Sequence, residues 1–194
     1  MASTSPSRRS AKREALMDTA TALFSRLGYR AVGIDALLAE AGVAKMTLYK
    51  QFGSKEELIA AVLERLTGEI GASLQTRLTA APGGRGERIL AVFDWLAEWV
   101  AAPTFHGCLF LKAAGEYPDP SERPHQVAEA FKAGCRQLLE QECRELPLSD
   151  PEGLARQLQL LLEGALVVAF LEHTPRAAAD ARRAAQTLLL AEGL

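Results

Sequence analysis

The chain has 194 residues, 48% hydrophobic and 24% charged, with a formal net charge of -2, a balance that excludes a disordered or low-complexity polypeptide. Aromatics make up only 6%, Ala and Leu abound and β-branched residues are few, which favours helices over strands. No apolar run reaches the ~18 residues of a membrane helix and "MASTSPSRRSAKRE" has no apolar centre of a signal peptide, so a cytoplasmic chain with no membrane contact is expected. Cys108, Cys135 and Cys143 form an odd set without CxxC spacing, which fits free thiols in a reducing compartment. Charge is unevenly spread: residues 1–55 hold nine Lys/Arg against four Asp/Glu, a net +5 that leaves -7 for the remainder. A basic first quarter on an acidic body points to a polyanion-binding module joined to something of another kind.

In chain order, residues 1–10 read as a flexible basic arm carrying Arg8 and Arg9, followed by Lys12 and Arg13. From Ala11 to Leu27 the set Leu16, Ala20, Leu23, Phe24, Leu27 has helical spacing, and Gly28 ends that helix. Ile34, Leu37, Leu38 and Ala41 repeat the pattern in a short second helix closed by Gly42. A third, "KMTLYKQF", follows at once and stops at Gly53. "SKEEL" then forms a capping box, Ser54 with Glu57, opening a helix from Lys55 to about Thr79. "APGGRG" is the clearest break in the chain. Beyond it come "ERILAVFDWLAEWVA", a short piece over Gly107–Glu116, the loop "EYPDPSERP", a helix over residues 125–146, the linker "PLSDPEG", a helix over residues 154–173, and a last helix from Pro175 to about Leu190. No segment alternates long enough to require a sheet: the expected fold is all-α.

Two short helices joined by a tight Gly-containing turn make a helix-turn-helix unit, whose second helix lies in the DNA major groove. Here that helix anchors on Leu48 and Phe52 and turns outward the residue types the task needs. Lys45 and Lys50 suit phosphates or guanine acceptors, Thr47 and Tyr49 offer hydroxyls, and Met46 suits a thymine methyl. The bland alternative is an ordinary amphipathic surface helix.

"LFSRLGYRAVGIDALLAEAGVAKMTLYKQFGSKEEL" resembles the DNA-binding domain of TetR-type (tetracycline-repressor family) transcriptional regulators. The matching elements are Phe24, the Gly28–Tyr29 turn, Ala41–Gly42–Val43, Thr47–Leu48–Tyr49, Phe52 and "SKEEL". The resemblance implies a DNA-binding domain over residues 11–54 and a helical ligand-binding and dimerisation domain over residues 55–194. It further implies that Thr47, Tyr49 and Lys55 meet the DNA backbone, and that Lys45, Met46 and Lys50 face the groove. Lys55 has a rationale of its own: a cation in the first turn of a helix is disfavoured by the dipole unless an anion such as phosphate sits there too. The chain departs from the family in Gly33, where relatives carry a Ser or Thr cap, and in Met46, where a small residue is common.

For the second domain the candidate ligand contacts are Trp95, Trp99, Phe105, His106, Cys108, Phe110 and Glu163, each also readable as core. A buried Glu163 would need a partner or a proton. Neither His106 with Cys108 nor His125 with Cys135 makes a zinc pattern; no metal or cofactor is expected. GxSxG, HExxH, GxGxxG and the P-loop are absent, so no enzyme is expected. The last two helices carry apolar residues around most of their girth (Leu158, Leu160, Leu161, Leu162, Leu166, Val167, Val168; Leu188, Leu189, Leu190), and Ala177, Ala181, Ala184 and Ala185 offer room for close approach. The pattern alone fits an intrachain core equally well; the resemblance implies a homodimer through these helices, with double-stranded operator DNA and an unidentified small-molecule inducer as partners. The alternative is a small-molecule-modifying, or a redox- or metal-sensing, helical protein with a DNA-binding module.

Overall fold

A computed structural model describes residues 8–81 and 86–194, with side chains from Ser10 onward. Nine α-helices and no strand occur among the described residues: α1 Arg8–Leu27, α2 Ile34–Ala41, α3 Lys45–Phe52, α4 Lys55–Ala80, α5 Glu87–Ala101, α6 Leu109–Glu116, α7 Arg123–Arg144, α8 Pro151–Glu172 and α9 Arg176–Ala191. The fold is all-α, as the composition required. Residues 1–7 of the expected arm lie outside the described residues, as do the side chains of Arg8 and Arg9. Residues 8–10 are the first turn of α1, which therefore starts three residues ahead of Ala11.

Helix ends follow the local chemistry. Gly28 (φ 83°) and Gly42 (φ 63°) take left-handed backbone that side chains resist. They end α1 and α2 where the periodicity stops. α8 begins three residues earlier than expected, because Asp150 accepts a hydrogen bond from the Gly153 N–H at 2.7 Å and Pro151 occupies the first helical position. Such a cap contributes about 1 kcal/mol, and proline is favoured where its missing N–H would have no partner. The "PLSDPEG" linker is thus partly the first turn of a helix.

The chain packs as two compact units. The first comprises residues up to Thr67 together with Leu109–Glu129. Its core is Leu16, Ala20, Phe24, Leu37, Leu48, Leu58 and Ile59, and α1, α2 and α3 pack on one another. Segment 109–129 joins this unit through polar contacts to the turn after α1. The Glu116 carboxylate accepts the backbone N–H of Tyr29 at 2.9 Å and of Arg30 at 2.6 Å, and the Arg30 Nε donates to the Glu116 carbonyl at 2.7 Å. The buried Tyr29 hydroxyl donates to the Leu109 carbonyl at 2.9 Å, and the Lys112 ammonium donates to that of Ser25 at 2.6 Å. Gly28 is needed here twice over, since a Cβ on it would also lie 2.8 Å from the Glu116 Oε1.

The second unit comprises Gly68–Cys108 and Ala130–Leu194, with α5, α8 and α9 packed against each other over Phe93, Leu96, Leu158, Ala165, Ala185 and Leu189. Buried Glu142 is held by the Arg88 guanidinium at 2.6 and 2.8 Å, and the same guanidinium donates to the Leu78 carbonyl at 2.8 Å.

Of the two readings open for the α9 alanines, Ala181 and Ala185 follow the intrachain one: they are buried where α9 packs on α5 and α8, since small side chains suit close packing within one chain. α8, 22 residues long, contains an 18-residue window of mean hydropathy 1.5, a length and composition that core helices share with membrane-crossing ones. Polar residues such as Gln157 and Glu163 interrupt it, so it holds no unbroken apolar run. Leu158, Ala165 and Ala169 of α8 are buried, whereas Leu160, Val167, Val168, Phe170 and Leu171 remain exposed.

Candidate nucleic-acid interface and ligand cavity

α3 is seated by Leu48, which is 0% exposed. Phe52, half-buried, lies beneath the Arg13 guanidinium at 5.0 Å from the ring centroid. With those two positions turned inward, the helical period turns Met46 (63% exposed) and Tyr49 (43% exposed) outward, along with Lys45 and Lys50; Thr47 is half-buried. Met46 and Tyr49, three positions apart, are neighbours on that exposed face. Lys45 lies 3.5 Å from Asp35 of α2, both largely exposed. Neither Gly33 before α2 nor Ala44 before α3 supplies a side-chain cap, so the leading N–H groups of both helices have no capping oxygen from those residues.

The remaining basic candidates differ in availability. Lys12 is exposed, while Arg13 donates to the Met17 sulfur at 3.0 Å and faces Glu14. The Lys55 ammonium donates to the Tyr29 carbonyl at 2.6 Å, and burial pulls its pKa below the ordinary lysine value. One of its three donors is thus met inside the protein by a neutral carbonyl, not by an anion. Of the capping box, the Ser54 hydroxyl accepts the Glu57 N–H at 3.1 Å, whereas the Glu57 carboxylate faces Arg123 at 3.9 Å.

In the second unit a cavity of about 50 Å³ lies among α4, α5, α7 and α8, with Cys108 also in its wall. Trp95 and Trp99, 5.4 Å apart between ring centroids, form one side, and Phe131, Leu139 and Leu162 form much of the rest. Lys132 is the one charged residue of the lining, and both Glu163 oxygens sit 2.7 Å from its ammonium. Burial lowers the Lys132 pKa, but Coulombic contributions from Cys108 and the Glu163 carboxylate and the hydrogen bond to Glu163 outweigh it, so the net shift is upward. Burial pushes the Cys135 thiol in the same wall up to about 11, and a thiol so placed stays protonated at neutral pH.

The ligand candidates thus divide. Trp95, Trp99 and Cys108 line this cavity, and Glu163 stands behind it as the partner of Lys132. Phe105 and His106 line a separate cleft with Phe170 and His173, Phe105 touching Trp99 edge-on at 5.6 Å. Phe110 is buried in the first unit. Sequence reasoning missed Lys132 and Phe131. The one available signal was a lysine among Phe131, Leu138 and Leu139 on an otherwise apolar face of α7.

A helix-turn-helix pair that presents a cationic, partly apolar second helix, carried on a chain with a separate all-helical unit holding an apolar cavity, defines a ligand-responsive DNA-binding transcriptional regulator. The sequence profile described as "Bacterial regulatory proteins, tetR family" matches residues 16–62, and that of the "Tetracyclin repressor-like, C-terminal domain" matches residues 86–185. The chain belongs to the tetracycline-repressor (TetR) family. It is similar to the HTH-type transcriptional regulator YjdC of Escherichia coli, 27% identical over 135 residues, which is 70% of this chain and 71% of that one. It is also similar to the HTH-type transcriptional repressor NemR of Escherichia coli, 32% identical over 130 residues, 66% of this chain and 65% of that one. Among solved structures it resembles SCO4454, a TetR-family transcriptional regulator from Streptomyces coelicolor (28% identity, TM-score 0.87, covering 94% and 96% of the two chains). The reduced form of Escherichia coli NemR is another such structure (28% identity, TM-score 0.81, covering 91% and 96%).

Proposed function

We propose that the chain is a homodimeric repressor, not an enzyme, that acts in the cytoplasm and leaves its operator when a small molecule enters the cavity of the second unit. Residues 11–54 do the DNA reading, and residues 55–194 bind the ligand and the second subunit. The observation that carries the reading is the outer face of α3: Met46 and Tyr49 are exposed while Leu48 between them is fully buried. Lys45, Met46 and Lys50 enter the major groove. Thr47, Tyr49 and Lys55 meet phosphates, Lys55 with the N–H groups not given to Tyr29, and the Gly33 end of α2 lies along the backbone. Arg8, Arg9, Lys12 and Arg13 add charge beside it. The exposed apolar residues of α8 (Leu160, Val167, Val168, Phe170, Leu171) and Leu190 of α9 support α8 and α9 as the surface shared by two copies. Ligand binding then shifts the population toward an arrangement that no longer matches operator spacing.

The test is selection of operators from random duplexes, followed by salt titration of the winner against random DNA. Met46→Ala should leave stability within about 0.5 kcal/mol, as for other exposed sites, while changing which operator variants win. Lys55→Ala should weaken operator and random DNA about equally and make the salt slope shallower by about one per subunit. An unaltered preference profile in Met46→Ala removes its base-reading role. A monomer mass at micromolar concentration removes the dimer.

A further inference from the structure

Resting on that reading of the cavity as the ligand site, we infer that it takes an uncharged, aromatic-sized apolar molecule with one hydrogen-bond acceptor, held by the Lys132 ammonium. The Lys132–Glu163 pair decides the charge. Both Glu163 oxygens sit 2.7 Å from the Lys132 Nζ, so the ammonium's charge is already matched in the wall. A carboxylate ligand would bring a second negative group toward Glu163, and an ammonium ligand a second positive group toward Lys132. Each would leave water without gaining a free counter-charge, at a cost of several kcal/mol. An uncharged ligand leaves the pair intact.

The same pair decides the polar contact. An ammonium has three donors. Two serve Glu163, and the third has no hydrogen-bond partner among the described residues, although the Phe131 ring lies 5.7 Å away. One acceptor on the ligand completes the set. The rest of the wall is apolar or aromatic and asks for hydrophobic bulk.

Size makes entry a conformational event. The cavity is about 50 Å³, well below the roughly 150 Å³ of an apolar cavity that accepts benzene. Entry therefore needs Trp95 and Trp99, both half-buried and 5.4 Å apart between ring centroids, to give way; Trp95 also donates from Nε1 to the Ser73 hydroxyl at 2.9 Å. These are the only two tryptophans of the chain, so its tryptophan fluorescence, excited selectively over the three tyrosines, reports on this wall.

The experiment titrates the full-length chain with acetophenone, ethylbenzene, benzoate and benzylammonium, reading tryptophan fluorescence and, independently, equilibrium dialysis. Acetophenone should bind about tenfold or more tighter than either charged probe, and about tenfold or more tighter than ethylbenzene, as one hydrogen bond to a charged group implies. Lys132→Met should bring acetophenone down to the ethylbenzene level while leaving ethylbenzene within about twofold. Glu163→Gln, which keeps the shape of the side chain and unpairs the ammonium, should raise benzoate affinity about tenfold or more. If benzoate or benzylammonium binds ahead of acetophenone in the unaltered chain, the inference is overturned while the cavity stands as a ligand site. Equal losses of acetophenone and ethylbenzene in Lys132→Met overturn the hydrogen bond. If none of the four probes binds, the reading of the cavity falls with the inference.

Discussion

Replacing Arg88 by methionine should destabilise the chain by about 3 kcal/mol or more, because it strands the buried Glu142 carboxylate without its counter-ion. Glu142 is almost inaccessible and its two oxygens lie 2.6 and 2.8 Å from the guanidinium. The same guanidinium also satisfies the Leu78 carbonyl, so one change removes three hydrogen bonds and exposes nothing to replace them. The double change Arg88→Met with Glu142→Leu should recover most of the loss, since a buried pair and an apolar pair of similar bulk are close in free energy. Urea unfolding of the unaltered chain and of these two variants checks this through the midpoint at constant slope. A single variant as stable as the unaltered chain would mean that water reaches Glu142 and that the pair contributes nothing.

The second large effect is expected at Leu48, where alanine should cost about 3–5 kcal/mol of first-unit stability. The side chain is fully buried beneath a helix of only eight residues, and Phe52, its companion, is only half-buried. A helix this short has little stability of its own and depends on packing for its position. Operator binding should therefore fall along with stability, in contrast to Met46→Ala two residues away, where stability should hold. A Leu48→Ala protein that keeps both its unfolding midpoint and its operator affinity would show that α3 is held by something other than its apolar anchor.

How much of this was legible depended on whether the signal was local. α5 could be read from residue 87 to 101 because its apolar spacing and its flanks, the glycine run before and Pro103 after, lie within one stretch of sequence. The seating of α3 was equally readable: Leu48 and Phe52 share a face, and the outward position of Met46 and Tyr49 follows from the same period. The start of α8 was hidden because Asp150–Pro151 reads as a turn as readily as a cap. Glu163 was visible as an anomaly, but its meaning depends on Lys132, 31 positions earlier on another helix. Nothing in either segment announces that pairing. The alanines of α9 were legible as a close-packing face, yet small side chains do not say which surface approaches them. The grip of Glu116 on the Tyr29 and Arg30 amides spans 87 and 86 positions and leaves no periodic trace at all.

That grip bears on how regulators of this kind can be recombined. The unit that contains the helix-turn-helix is discontinuous in the chain: Leu109–Glu129 belongs to it although 41 residues of the other unit come between. A hybrid joined by a single crossover near residue 67 would inherit the turn at Tyr29–Arg30 from one parent and the carboxylate that secures it from the other. Exchanging operator specificity between two such proteins therefore calls for three junctions, so that Glu116, Lys112 and the Leu109 carbonyl travel with the helices they hold.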